Sequence, residues 1–116
     1  MATLTAKLTL SSSNATSDQL NLSVSDTLSI TKDVIAPSKI ALSTGDLTLF
    51  ATSYTKSYLY FKNLDSAINI TVSFGSQVSL ELGASEFTFL PWSGAGAVVV
   101  AAASGTPYLE YAIFEA

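Results

Sequence analysis

The side chains of this sequence that could do chemistry are nine carboxylates and five lysines. There is no histidine, cysteine or arginine, so the sequence lacks the commonest general acid–base, a thiolate nucleophile and a bidentate phosphate clamp. A glycosidase would need two carboxylates that face each other across a cleft. Glu81 instead falls on the polar face of its strand, and Glu110 shares a face with Tyr108 and Ala112. We therefore expect no enzymatic activity, no metal site and no cofactor.

The charge distribution argues against two classes of partner. Nucleic-acid binding needs a basic stripe, whereas the lysines here are scattered and the net charge is −4. A membrane-spanning helix needs roughly 18 consecutive apolar residues, and the longest run, AGAVVVAAA (95–103), is shorter and reads as a buried strand. Residues 1–10 alternate instead of forming the apolar core of a secretory signal. We expect neither nucleic-acid nor membrane partners.

Alternation of apolar and polar residues with a period of two runs through most of the chain, which is typical of half-buried strands. Asp26 interrupts the apolar face of one such segment, so we expect a kink or short break at residues 25–27. Gly75 and Ser76 form a candidate hairpin turn. Strands are expected at or within 3–10, 20–30, 33–46, 47–54, 56–63, 67–74, 77–82, 83–92, 97–103 and 108–114.

This pattern predicts eight to ten short strands and little or no helix. Parallel strands would need helical crossovers, and the sequence has no room for them. The predicted fold class is therefore all-β: a jelly-roll-like antiparallel β-sandwich. With 116 residues, the chain is expected to form a single β-sandwich domain over residues 1–116.

One strand is apolar on both faces. Within residues 56–63, Tyr58 and Tyr60 point one way while Leu59 and Phe61 point the other. Such a strand is central in a sheet or lies at an interface. Three roles stay open for Tyr54, Tyr58 and Tyr60: core packing, a platform on which a glycan stacks, or a contact between subunits.

The stretch GASEFTFLPW (83–92) is rich in packing residues. Phe87 and Phe89 share a strand face and are expected in the core, with Leu90 on the opposite face. Pro91 is expected to end the ladder because it has no N–H to donate. Either all these apolar residues pack inside one domain, or the end of the stretch meets a neighbouring subunit, since tryptophan is favoured at interfaces. The candidate interaction surface, with a neighbouring subunit or another partner, comprises Tyr54, Tyr58, Tyr60, Leu90, Pro91 and Trp92.

The second half of the chain contains three motifs. They are a Y-x-Y-x-K-N strand (Tyr58, Tyr60, Lys62, Asn63), a turn (Gly83, Glu86, Phe87, Phe89, Pro91, Trp92) and a terminal strand (Leu109, Glu110, Tyr111, Phe114, Glu115). Together they resemble small β-sandwich virion proteins of tailed bacteriophages, including cyanophages. The resemblance covers roughly residues 54–116, while residues 1–53 share only the β-pattern. Within the second motif Ala84 and Ser85 separate Gly83 from Glu86, so this turn is longer than in the family pattern.

The resemblance implies a non-enzymatic structural part of the virion. The first expectation is a capsid decoration (cement) protein, assembled in the host cytoplasm and located on the capsid surface. Its partners would be its own copies, as a homotrimer, and the major capsid protein or other virion proteins. The alternative is a receptor- or glycan-binding module of a tail or head fibre, which predicts exposed aromatic residues on a concave face or in loops.

Overall fold

The computed structural model of the chain describes residues 2–15, 17, 19–50, 54–75 and 77–116. Within these ranges the protein is all-β, with antiparallel strands and no helix, which confirms the predicted fold class. The strands are β1 (Ala2–Ser12), β2 (Leu20–Ile30), β3 (Lys32–Ala41), β4 (Leu47–Phe50), β5 (Ser57–Asn63), β6 (Ile70–Phe74), β7 (Gln77–Leu82), β8 (Phe87–Trp92), β9 (Val98–Ala102) and β10 (Tyr108–Glu115).

The chain divides into two compact units, Met1–Thr31 and Lys32–Ala116. The first unit is a two-stranded antiparallel hairpin of β1 and β2, in which eleven residues of each strand pair without a shift in register. The second unit contains the other eight strands. The expectation of one domain over residues 1–116 stays a prediction.

The expected kink at residues 25–27 is wrong. Asp26 pairs directly with Ala6 inside an unbroken ladder, and the neighbouring residues Ser25 and Thr27 pair in the same register. Asp26 is exposed, so its carboxylate stays hydrated and the strand has no desolvation cost to avoid by bulging.

The second unit is a jelly roll of two four-stranded sheets. The front sheet has the order β3-β10-β5-β8 and the back sheet the order β4-β9-β6-β7. Most successive strands of the second unit cross from one sheet to the other, whereas β6 and β7 form a hairpin within the back sheet. This alternation is the jelly-roll arrangement of two interlocked Greek keys.

The two sheets share one apolar core. Alternate residues of β5 are fully or almost fully buried, as are alternate residues of β9 in the opposite sheet. Phe50 lies at an aromatic centre, with its ring centroid 6.0–6.3 Å from those of Tyr54, Phe61, Trp92 and Tyr111. The core consists of Leu42, Phe50, Leu59, Phe61, Ile70, Val72, Leu82, Trp92, Val98, Val100, Ala102, Leu109 and Ile113.

The prediction that Pro91 ends its ladder is wrong by one residue. Pro91 pairs with Tyr58, and the ladder continues to Trp92, which pairs with Ser57. Proline is tolerated there because β8 is an edge strand, where a missing N–H need not break a ladder bond. The candidate turn at Gly75 and Ser76 lies between paired strands β6 and β7, and Ser76 is outside the described residues.

Candidate interaction surfaces

Strand β5 lies in the middle of the front sheet, between β10 and β8. Leu59 and Phe61 are fully buried and face the core, while Tyr58 and Tyr60 are half-buried on the outer side. Of the two places expected for a strand that is apolar on both faces, in the centre of a sheet or at an interface, the structure shows the central one.

Phe87 and Phe89 are not core residues, contrary to the expectation from the sequence. Their side chains are 63% and 38% exposed, and they share the outer face with Pro91. The core side of β8 carries Leu90 and Trp92 instead, and Trp92 is only 6% exposed. Trp92 fixes this orientation because side chains of odd and even number point to opposite faces of a strand.

Cross-strand pairing brings these outer residues together as one surface. Tyr60 pairs with Phe89 on one side and with Ala112 on the other, and Phe114 pairs with Tyr58. Directly opposed residues share a sheet face. We call this surface the aromatic face, and it consists of Tyr58, Tyr60, Phe87, Phe89, Pro91, Tyr108 and Phe114.

Rings and ammonium groups pack against each other on the aromatic face. The rings of Tyr58 and Phe89 lie 6.0 Å apart at an interplanar angle of 10°. The Lys56 ammonium lies 5.7 Å from the Tyr58 ring centroid, and the Lys39 ammonium lies 6.0 Å from that of Tyr108. These contacts restrict the rings before any partner binds. Binding would therefore cost less side-chain entropy in this protein.

One charge-assisted hydrogen bond lies within the aromatic face. The Tyr60 hydroxyl donates to Glu110 Oε1 across 2.7 Å, between neighbouring strands. Desolvation by burial is the main cause that raises the pKa of Tyr60 to about 12, and the Glu110 carboxylate adds to it through the hydrogen bond and its charge. Glu110 therefore holds a ring hydroxyl in position, which is a structural use of a residue that the sequence offered as a possible acid.

The titration of Tyr60 provides the first testable prediction. The ultraviolet absorbance of phenolate, measured as a difference between wild type and Tyr60→Phe, should show Tyr60 ionising near pH 12. Glu110→Gln should lower this pKa only in part, because burial remains. Since Tyr60 holds its proton more tightly in the folded chain than at the ordinary pKa of 10.0, its stabilising contribution is complete below about pH 10 and is lost as pH rises towards 12. A Tyr60 pKa near 10 in wild type would contradict the hydrogen bond.

The remaining residues of the candidate interface lie towards the interior. Tyr54 and Leu90 are half-buried and pack against the core, and Trp92 is part of it. Among the described residues, the Trp92 indole Nε1 has no hydrogen-bond partner. Tyr58, Tyr60 and Pro91 lie on the aromatic face, so the structure brings together half of the six residues. An interface at any of them stays a prediction.

Sequence reasoning missed the contribution of the last strand to this surface. Tyr108 is 54% exposed and Phe114 half-buried, on the same face of β10 as Glu110. The signal was present, because alternation in YLEYAIFE assigns these residues to one side of the strand. It could be used only once β10 was known to neighbour β5.

The outer face of the back sheet is different in character. A shallow depression of about 430 Å³ there is lined by Asp46, Thr71, Ser73, Gly75, Val99, Val100 and Ala101. These are small side chains apart from one carboxylate. The two outer surfaces of the sandwich therefore offer contrasting chemistry: large rings in front, and small hydroxyl and aliphatic groups behind.

Metal-binding and membrane-spanning features are both missing from the described ranges. No group of three or more acidic side chains is arranged there to hold a metal ion. The same residues include no helix with the length and hydropathy to cross a bilayer.

The chain was compared with known proteins at three levels. No family model matches the sequence, and no curated protein and no solved structure matches the chain.

Proposed function

We propose that the protein is a non-enzymatic structural component of a phage virion, a capsid decoration protein that docks through the aromatic face. The observation that carries this proposal is the exposure of large rings on one rigid sheet, with Phe87 at 63% and Tyr108 at 54%. Exposed apolar patches on soluble proteins mark interaction sites, and aromatic residues are enriched among interface hot spots. The resemblance in residues 54–116 supplies the virion as the setting.

The charges around the aromatic face suit an acidic partner surface. Lys39 and Lys56 lie over its rings, and Lys62 pairs with Phe87 on one side and Glu110 on the other. Among the described side chains, the face thus has three lysines and one carboxylate, in a chain of net charge −4. An acidic partner surface would raise the association rate because its potential is opposite to that of the aromatic face. Two aromatic faces would repel each other because both carry positive charge.

Because a capsid presents many copies of the docking site, a weak contact at each site would be sufficient for stable binding. A capsid lattice repeats the same docking site many times, and a decoration protein that associates with its own copies binds several sites at once. Linked sites convert later binding events into intramolecular ones, which raises the overall avidity by orders of magnitude. The proposed partners are therefore the major capsid protein and further copies of this chain.

Localisation on the particle tests this function. Gradient-purified virions of the encoding phage should contain the chain in high copy number by quantitative mass spectrometry. Immunogold labelling should place it on the capsid surface. Absence from purified virions, or labelling of infected-cell debris only, would refute the proposal.

A second prediction addresses the docking surface. Phe87→Ser should weaken rebinding of the purified chain to virions from which the chain has been removed by about tenfold, because truncating an aromatic interface contact costs on the order of 1–2 kcal/mol. Thermal stability should change little, since Phe87 is mostly exposed. Thr71→Ala on the outer face of the back sheet is the matched control. Equal binding by both variants would show that the docking site lies elsewhere on the protein.

A glycan-binding role is the second candidate, favoured by the oriented carboxylate among the rings. Glu110 accepts from Tyr60 through one oxygen, and its other oxygen could accept a hydrogen bond from a sugar hydroxyl. Aromatic faces with a few oriented polar groups are common in ligand sites. Glycan-array binding that Phe87→Ser abolishes, with no binding to capsids, would favour this role over decoration.

A further inference from the structure

We propose that the β1–β2 hairpins of two copies of this chain pack apolar face to apolar face, antiparallel and related by a two-fold axis. The partner is therefore a second copy, and the contact is separate from the aromatic face. The inference does not depend on the proposed virion role, because it concerns the purified chain alone.

The hairpin has one apolar face and one hydroxyl face along its whole length. Leu4 pairs with Leu28 on the apolar side, while Thr5 pairs with Thr27 on the other. The hydroxyl side is Thr3, Thr5, Lys7, Thr9, Ser11, Asn21, Ser23, Ser25, Thr27 and Ser29. A two-stranded ribbon cannot bury either face by itself and is marginally stable in water.

The apolar exposure is concentrated near the hairpin loop. Leu8 pairs with Val24, and Leu10 pairs with Leu22. Their exposed fractions are 45%, 52%, 42% and 41% in that order. We call these four residues the tip quartet. They form one continuous patch because the two pairs are next neighbours on the same face.

Asp26 determines how two such faces can pack. It lies on the apolar face, one same-face pair closer to the base than Leu8 and Val24. If hairpins packed in parallel around a three-fold axis, three Asp26 carboxylates would meet at the axis, and like charges in contact disfavour association. The homotrimer expected from the resemblance would therefore have to form without parallel packing of the hairpins.

An antiparallel two-fold arrangement avoids this clash. Centred on the tip quartet, it places the Leu8–Val24 pair of one copy over the Leu10–Leu22 pair of the other. Asp26 then lies over the Ser12–Leu20 pair at the solvent end of the partner ribbon. The two Asp26 residues are about 20 Å apart, since each lies three residues from the centre at ~3.3 Å per residue. The apolar patch thus covers itself without burying a charge pair.

The expected contact is weak and concentration-dependent. The tip quartet exposes on the order of 300 Å² per copy, well below the ~800 Å² per partner of a standard interface. Association should become measurable only at high concentration. Copies held close together on a common surface would pair far more readily, because their effective concentration is higher.

Crosslinking of the full chain tests both the contact and its direction. The sequence has no cysteine, so Leu20→Cys and Asp26→Cys each introduce a single thiol. With a short bismaleimide crosslinker, a mixture of the two variants should give covalent dimers that join residue 20 of one copy to residue 26 of the other. Neither variant alone should crosslink efficiently, because like positions lie about 20 Å apart.

Three controls make the outcome decisive. Adding Leu8→Thr and Val24→Thr to both variants should reduce mixed dimers at least tenfold, with strand content by circular dichroism unchanged. Ser11→Cys, on the hydroxyl face, should not crosslink to Asp26→Cys. Efficient dimers of Leu20→Cys alone, a variant that keeps the Asp26 carboxylate, would overturn the antiparallel arrangement. Absence of mixed dimers at the highest attainable concentration would overturn hairpin pairing altogether.

Discussion

Asn63→Ala should lower the free energy of unfolding by about 3–5 kcal/mol, since each buried polar group left unpaired costs about 1–3 kcal/mol. Asn63 is fully buried at the end of β5. Its amide nitrogen donates to the carbonyl oxygens of Ile68 (2.7 Å), Leu82 (3.1 Å) and Gly83 (3.0 Å), and its oxygen accepts the Asp65 N–H at 2.9 Å. One side chain thus ties a loop and a strand end to the core. Urea denaturation followed by far-ultraviolet circular dichroism measures the change.

Two further substitutions distinguish the loss of the buried Asn63 hydrogen bonds from a general effect of replacing an asparagine. Asn69→Ala should cost well under 1 kcal/mol, because Asn69 makes an exposed hydrogen bond to Glu81. Asn63→Asp keeps the shape but replaces the donor with a carboxylate facing three carbonyl oxygens, so it should destabilise at least as much as Asn63→Ala. Similar stabilities for Asn63→Ala and Asn69→Ala would contradict the network.

Gly94→Ala should also destabilise strongly, by about 3 kcal/mol or more, because the added methyl clashes with backbone that cannot move freely. Gly94 is buried with φ of 88°, and a β-carbon there would meet the carbonyl oxygens of Tyr54 and Thr55. The turn after β8 needs both the positive φ and the missing side chain. Chemical denaturation gives the stability, and proton-detected spectra show whether the variant still folds.

Gly75→Ala is the matched control for Gly94→Ala. Gly75 also has a positive φ, 65°, but no atom of the described residues lies within 4 Å of the position that a β-carbon would take there. Alanine at this position should cost only the ~1 kcal/mol of left-handed backbone. If the two variants lost equal stability, the close packing around Gly94 would not be the cause of the loss in Gly94→Ala.

The strands were predictable because their residues alternate clearly. In β5, Leu59 and Phe61 alternate with Tyr58 and Tyr60, and this local pattern predicts a strand that is either central in a sheet or at an interface. The order of strands did not follow, because pairing between β5 and β10 joins residues about fifty positions apart, such as Tyr60 and Ala112. Period-two patterning fixes which side chains share a face and leaves the neighbour unspecified.

The orientation of β8 could not be predicted from its own residues. One face offers Phe87 and Phe89, and the other offers Leu90 and Trp92, so both are apolar. Alternation cannot choose between two apolar faces. Packing of Trp92 against Phe50, with ring centroids 6.3 Å apart, decides the question through a residue from the other sheet. For this reason three of the six candidate interface residues, Tyr58, Tyr60 and Pro91, lie on the aromatic face, while an interface at any of the six stays a prediction.

The expectation at Asp26 failed for a different physical reason. A charged residue in an apolar stripe suggests a bend only if that stripe is buried by the chain itself. Here the stripe belongs to a two-stranded ribbon and Asp26 stays exposed, so no rearrangement is needed. Sequence alone does not show whether a strand face is covered.

The distribution of chromophores has a practical consequence. The single tryptophan lies in the sandwich core, and residues 1–31 contain no tryptophan, tyrosine or phenylalanine. Indole fluorescence will therefore monitor melting of the sandwich only, because the hairpin contains no fluorescent side chain. A melting curve by amide absorption that departs from the emission curve would report fraying of the hairpin, and it should not be taken as a folding intermediate of the jelly roll.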